Sequence, residues 1–132
     1  MREIKFRAKR FDNNHDDWIY GYFHVIDTCG NGYTGKAIQL QSGTSRPYSV
    51  RVHDESVGQY AGLKDTNNRE IYEGDIVKIA YENDSENYAW YEEVIWHRSC
   101  FMAGDDNLLV NVIDGCEVIG NIYENPELLE GV

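Results

Sequence analysis

Short runs of β-branched and aromatic residues, each closed by a cluster of Asp, Asn or Gly, constrain this chain more than any other feature of its sequence. The candidate strands are Arg2 to Ala8, Trp18 to Ile26, Lys36 to Leu40, Tyr48 to Val52, Ile71 to Tyr81, Tyr88 to His97, Leu108 to Ile113 and Glu117 to Tyr123, built of residue types that fit a pleated, half-buried surface. Between them stand Asp12-Asn13-Asn14, Gly30-Asn31-Gly32, Asp65-Thr66-Asn67-Asn68, Asn83-Asp84-Ser85-Glu86-Asn87, Asp105-Asp106-Asn107 and Asp114-Gly115. Side chains that bond their own backbone, or the missing side chain of glycine, suit such places to tight reversal. Strands at this spacing predict a mainly β chain arranged as a barrel or sandwich. Helix start signals occur over Asp54 to Tyr60 and near the C-terminus, where Asn125 caps a turn begun by Pro126 and continued by Glu127, Leu128 and Leu129. With 132 residues the chain has the length of one domain. It shows no internal repeat, and Gln41 to Pro47 is at most a loop between an N-terminal part and the rest.

Charge narrows the function classes. The net charge is −11, from 12 Lys+Arg and 23 Asp+Glu, while 42% hydrophobic and 13% aromatic residues supply a core and argue against disorder. Residues 1–81 hold 11 basic and 11 acidic side chains; residues 82–132 hold Arg98 against 12 acidic ones. A surface of that sign repels phosphate backbones and anionic lipid, so neither direct nucleic-acid binding nor a membrane is expected. One basic cluster, Arg2, Lys5, Arg7, Lys9 and Arg10, alternates with Ile4, Phe6 and Ala8. A solvated strand face explains it without nucleic acid. The alternating N-terminus and the lack of a long apolar run argue against a secretory peptide and a spanning helix, which points to the cytoplasm. Cys29, Cys100 and Cys116 form no C-x-x-C pair and read as reduced, mostly buried thiols.

Three segments then carry a family resemblance. Gly58-Gln59-Tyr60-Ala61-Gly62-Leu63-Lys64-Asp65 followed by Arg69-Glu70-Ile71-Tyr72-Glu73-Gly74-Asp75-Ile76-Val77-Lys78 resembles the central signature of the YopX-like family of phage and prophage proteins. The opening Arg2 to Ala8 resembles that family's N-terminus, and Glu117 to Leu129, including Gly120, Asn121, Tyr123, Asn125 and Pro126, its C-terminal signature. Ala61 stands where Thr is usual, and Asn67-Asn68 where Asn-Gly is usual; Asn also tolerates positive φ, so the turn chemistry is kept. The resemblance implies a mainly β fold with a small SH3-like barrel and little helix. It places N-terminal strands over residues 1–53 and the barrel-forming part over 54–132 of a single YopX-like domain. It also implies homo-oligomers and no assigned biochemical activity. Within the signature, Glu73-Gly74-Asp75 breaks the strand with a turn or bulge where Gly supplies the unusual backbone. Asp75 suits a corner that accepts backbone N–H bonds, with a binding role as the alternative.

Catalytic and metal chemistry find little support. His15-Asp16-Asp17 and His53-Asp54-Glu55 are adjacent residues that an extended strand sends to opposite faces. His97-x-x-Cys100 offers two zinc ligands, but no spacing supplies the other two. Read as a Cys/His dyad, the same residues lack an orienting third group. Glu92-Glu93 and Asp105-Asp106 lie in a strongly acidic segment where a solvated face accounts for them. Gly30-x-Gly32-x-x-Gly35 is followed by the strand-like Lys36 to Leu40 rather than by a helix, so it makes a poor phosphate loop. No catalytic residue, metal ligand or cofactor is therefore expected.

The aromatic residues Trp18, Tyr20, Tyr22 and Phe23, and Tyr88, Trp90, Tyr91 and Trp96, exceed what a small barrel buries, because alternate strand positions point outward. Tyr and Trp on a polar chain favour a protein-binding or self-associating surface over a catalytic cleft. The leading expectation is a non-enzymatic accessory protein that forms a homo-oligomer and binds a host or phage protein. The alternatives are an acidic nucleic-acid mimic that blocks a DNA-binding protein and a ligand-binding or enzymatic barrel.

Overall fold

The punctuated runs fold into eleven strands in a computed structural model, which describes residues 4–11, 18–28, 33–40, 48–80 and 89–130. Calls on Asp12-Asn13-Asn14, His15-Asp16-Asp17, Cys29, Gly30-Asn31-Gly32, Gln41 to Pro47, Asn83 to Asn87 and Tyr88 lie outside these residues. Two compact units divide the chain, residues 1–59 and 60–132.

In the first unit β1 (Phe6–Lys9), β2 (Trp18–Thr28), β3 (Tyr33–Leu40) and β4 (Tyr48–Arg51) pair antiparallel in the order β4-β3-β2-β1. The far side of β1 takes the start of β5 (Gly58–Lys64), through Phe6↔Gln59 and Arg7↔Gly58. Beyond these strands the chain bridges Arg10 to Val52, with Phe11 N–H donating to Arg51 C=O and His53 N–H to Lys9 C=O. Ala8, Ile38 and Val52 form a buried cluster against which Phe6, Ile19, Phe23 and Val57 pack.

The second unit pairs the rest of β5 with β6 (Glu70–Tyr72) and holds a five-stranded sheet in the order β10-β9-β8-β7-β11. Its strands are β7 (Asp75–Ala80), β8 (Ala89–His97), β9 (Cys100–Ala103), β10 (Asn107–Leu108) and β11 (Cys116–Asn121). Ile71, Val77, Ile79, Val94, Ala103, Leu109 and Cys116 are buried in its core. The mainly β expectation is met, and every pairing is antiparallel. Among the described residues neither sheet closes on itself, so the barrel closure implied by the resemblance is not seen. Among the described residues no helix is long and apolar enough to cross a membrane.

Two element assignments need correction. Asp54 to Tyr60 is not a helix: a 3-10 turn covers Asp54–Ser56, with no side-chain cap, and from Gly58 the chain is strand β5. Pairing with β1 outweighs the local start signal there. Leu108 to Ile113 is not a strand: Leu108 ends β10, α1 spans Leu109–Val112 and a 3-10 turn follows over Ile113–Gly115. The three-residue spacing of Leu109 and Val112 places both in the core, and this burial overrides the β propensity of the run. The short helix α2, Glu127–Glu130, forms after Asn125 and Pro126 as the start signal predicts.

Candidate functional site

The central and C-terminal signatures, about 50 residues apart in the chain, converge in the second unit because β7 and β11 are neighbours, with Asp75 opposite Asn121. Gly74 turns the chain from β6 into β7 at φ +92°, a conformation that favours glycine. Its N–H donates to Val94 C=O at 2.8 Å and its C=O accepts from Ile122 N–H at 2.9 Å. The Tyr123 ring closes over it: a β-carbon at Gly74 would lie 2.9 Å from Tyr123 Cε2. Asp75 is 1% exposed, and its Oδ2 accepts the Tyr72 N–H at 2.7 Å.

A second carboxylate organises the turn between β5 and β6. Asp65 Oδ1 accepts from Asn67 N–H at 2.9 Å and from Arg69 N–H at 2.8 Å, while Oδ2 accepts from Val118 N–H of β11 at 2.8 Å. Thr66 N–H donates to Cys116 C=O, also on β11. Asn68 takes φ +64°, the left-handed conformation in place of the usual Gly. Gly62 sits at φ +82° where the β5–β6 register shifts, Leu63 packs on the core, and Ile71 and Tyr72 are buried.

The C-terminal signature is a set of caps. Asn121 Oδ1 accepts from Tyr123 N–H and Glu124 N–H, and Asn125 Oδ1 accepts from Asn121 N–H. Gly120 sits at the register shift of β11, where a β-carbon would press on the Asn125 amide. Pro126 C=O accepts from Leu129 N–H in the last turn. With Asp65, Asp75 and Asn121 bonded to backbone N–H groups and buried, this constellation is suited to fixing turns rather than to touching a ligand.

The charge and the solvent-facing apolar side chains lie elsewhere in the unit. Glu92 sits against Gly104, at φ +73°, where any β-carbon would collide with its carboxylate. Its pKa is raised, first by desolvation and then by Asp105 and Asp106. Glu93 is raised by desolvation and by Glu73. At the end of the same sheet Trp96, half exposed, stacks edge-on against Phe101 at 4.7 Å, and Leu108 and Val110 are exposed. His97 and Cys100 face each other across the two-residue turn between β8 and β9 and line a shallow groove of about 340 Å³ with Arg98, Met102, Asp105 and Leu108. Among the described residues no group of three or more His, Cys, Asp or Glu is placed to hold a metal ion. The hairpin turn itself escaped the sequence: Arg98 and Ser99 both take positive φ, at 51° and 66°, without the Asn or Gly that signals such a turn.

Residues 5–130 match the family model described as YopX protein. The crystal structure of protein EF1440 from Enterococcus faecalis is similar at 26% identity and a TM-score of 0.58, over 98% of this chain and 99% of that one. A search of curated proteins finds no match.

Proposed function

Given that the chain belongs to the YopX protein family, matched over residues 5–130, we propose that it is a non-catalytic phage or prophage accessory protein that self-associates and binds another protein through its second unit. The observation that carries this reading is the end of the five-stranded sheet. There Trp96 stands half exposed beside Phe101 on one face of β8–β9, and Leu108, in register with Met102, is exposed on the other, on a unit that is otherwise strongly charged. Aromatic and apolar side chains ringed by polar ones are the composition of an interface centre and its rim.

The rim selects the partner's sign. Residues 60–132 hold 4 Lys+Arg against 16 Asp+Glu, a net of −12. Glu92 is crowded by Asp105 and Asp106, so a cation brought to this place relieves repulsion already present in the free protein. A basic protein surface is therefore the favoured partner, and the same charge supports the second reading, an acidic surface that occupies a nucleic-acid-binding groove. Self-association is tested by sedimentation equilibrium. The expected result is a discrete oligomer of the 15.3 kDa chain that Trp96→Ala weakens. A monomer at tens of micromolar, roughly where typical interfaces hold, overturns it. Capture by an immobilised basic protein, lost on charge reversal at Asp105 and Asp106, tests the partner's sign.

A further inference from the structure

The hairpin between β8 and β9 gathers soft donor atoms. Val94 of β8 is buried in the core, so alternation places Ile95 and His97 on the other face of that strand. His97 is in register with Cys100 and Ile95 with Met102, which puts His97, Cys100 and Met102 on one face of the pair. The two turn residues, Arg98 and Ser99, take positive φ at 51° and 66°. A two-residue turn of this kind holds the residues that flank it directly opposite each other, with β-carbons about 4.5–5.5 Å apart. Met102 stands two positions along β9, about 6.8 Å from Cys100, within reach of an unbranched thioether side chain. Imidazole, thiol and thioether all line the groove of about 340 Å³. His97 and Cys100 are exposed and Met102 is half-buried, so an ion from solvent reaches all three.

We propose that His97, Cys100 and Met102 form a binding site for a soft monovalent metal ion, Cu(I), held by the Cys100 thiolate, the His97 imidazole and the Met102 thioether. Donor chemistry selects the ion. Thiolate and thioether sulfur are soft ligands that favour Cu(I), and imidazole suits copper as well. Structural zinc takes four donors in a tetrahedron, and among the described residues no third His, Cys, Asp or Glu joins this pair in a group able to hold a metal ion. That shortfall weighs against zinc but not against Cu(I), a monovalent ion that does not demand a fourth donor. The sequence alone counted His97 and Cys100 and expected no metal. Met102 joins them only through the register of β9 against β8, and its sulfur changes which ion the set fits. On binding, the Cys100 S–H bond breaks, its proton leaves to solvent and a copper–sulfur bond forms, with no change in the oxidation state of the metal. The thiolate cancels the charge of the ion, and Arg98 and Asp105, which line the same groove, carry charges of opposite sign.

The test titrates the full chain, reduced and free of oxygen, with Cu(I) and follows the ultraviolet absorption of the copper–thiolate bond. Ferrozine, a coloured Cu(I) chelator, competes for the ion and reads changes in affinity. The expected result is one Cu(I) per chain. Replacing a group that only orients a ligand costs about 10–100-fold in metal affinity. Cys100→Ser, which removes the thiolate itself, should therefore weaken binding at least about 100-fold, and His97→Gln and Met102→Leu at least about tenfold each. Leu nearly conserves the volume of Met, so packing survives that change. Cys29→Ser should bind as the unsubstituted chain does, and the buried Cys116 thiol, pushed up to about 11, stays protonated near neutral pH. Bound Cu(I) should also shield Cys100 from a thiol-specific reagent in the Cys29→Ser chain, as read by peptide mass mapping. Far-UV spectra check the fold of each variant. Absence of binding, a stoichiometry other than one per chain, binding retained in Cys100→Ser or lost in Cys29→Ser, unchanged affinity in His97→Gln or Met102→Leu, or equally tight binding of Zn(II), followed with a zinc-sensitive dye, would each overturn the proposal.

Discussion

Replacing Gly74 with Ala tests the junction of the two signatures. The substitution adds one methyl group at φ +92°, 2.9 Å from Tyr123 Cε2 and 3.2 Å from its hydroxyl. Backbone strain of this kind costs about 1–3 kcal/mol. Forcing the half-buried Tyr123 ring to shift costs a further ~1–3 kcal/mol, the usual range for overpacking. The sum, about 2–6 kcal/mol, is a large fraction of a small domain's stability. At a urea slope of about 2 kcal/mol per molar it moves the midpoint down by about 1–3 M. Unfolding of the second unit is followed by the fluorescence of Trp90 and Trp96 in a Trp18→Phe background. Repeating the substitution with Tyr123→Ala separates the two contributions, because removing the ring leaves only the backbone cost of about 1–3 kcal/mol. A loss below about 0.5 kcal/mol, within the range of an ordinary surface change, would refute the reasoning. An identical cost with and without the ring would refute its steric half.

Asp65→Ala should cost about 2–4 kcal/mol, because it strips an acceptor from three backbone N–H groups, one of them on β11; a urea midpoint equal to that of the unsubstituted chain would contradict it. Glu92 and Glu93 have folded-state pKa values raised above the ordinary carboxylate range. The folded chain therefore binds more protons in that window and loses stability as pH rises through it. Glu92→Gln should raise the thermal midpoint at neutral pH and flatten this fall; a lower neutral-pH midpoint contradicts the sign. Burial, with Asp65 second, pushes the Cys116 thiol up to about 11. In the native protein near pH 8 a thiol-specific reagent should label exposed Cys100 and spare Cys116, as peptide mass mapping will report.

Local chemistry made part of this architecture legible. Alternation in Trp18 to Phe23 marks β2, the break at Glu73-Gly74 marks the turn into β7, and Asn125-Pro126 marks the last helix, since each signal acts within a few residues. What stayed hidden depends on partners distant in the chain. Cys100–Ala103 forms β9 because a hairpin through Arg98 and Ser99 returns it to β8, and neither turn residue advertises positive φ. Leu109 and Val112 become helical because the core takes both. Asp65 belongs to the recognised signature, but its bond to Val118 crosses 53 positions. No spacing rule reaches that far. For the site, sequence named the acidic segment and the aromatic surplus without saying which rings face out. Register answers that for β2, and burial answers it for Trp96.

The rim of β11 opposite β7 offers a further consequence. A strand at the end of a ladder is a template: its outward N–H and C=O groups can enrol the next chain, and the next, without limit. Two of the outward groups of β11, Val118 N–H and Cys116 C=O, are already occupied by a carboxylate and an N–H of the neighbouring turn, Asp65 and Thr66. That stretch of the edge is covered. Releasing the turn by Asp65→Ala would uncover that N–H and C=O and make this stretch of β11 available for pairing with another strand.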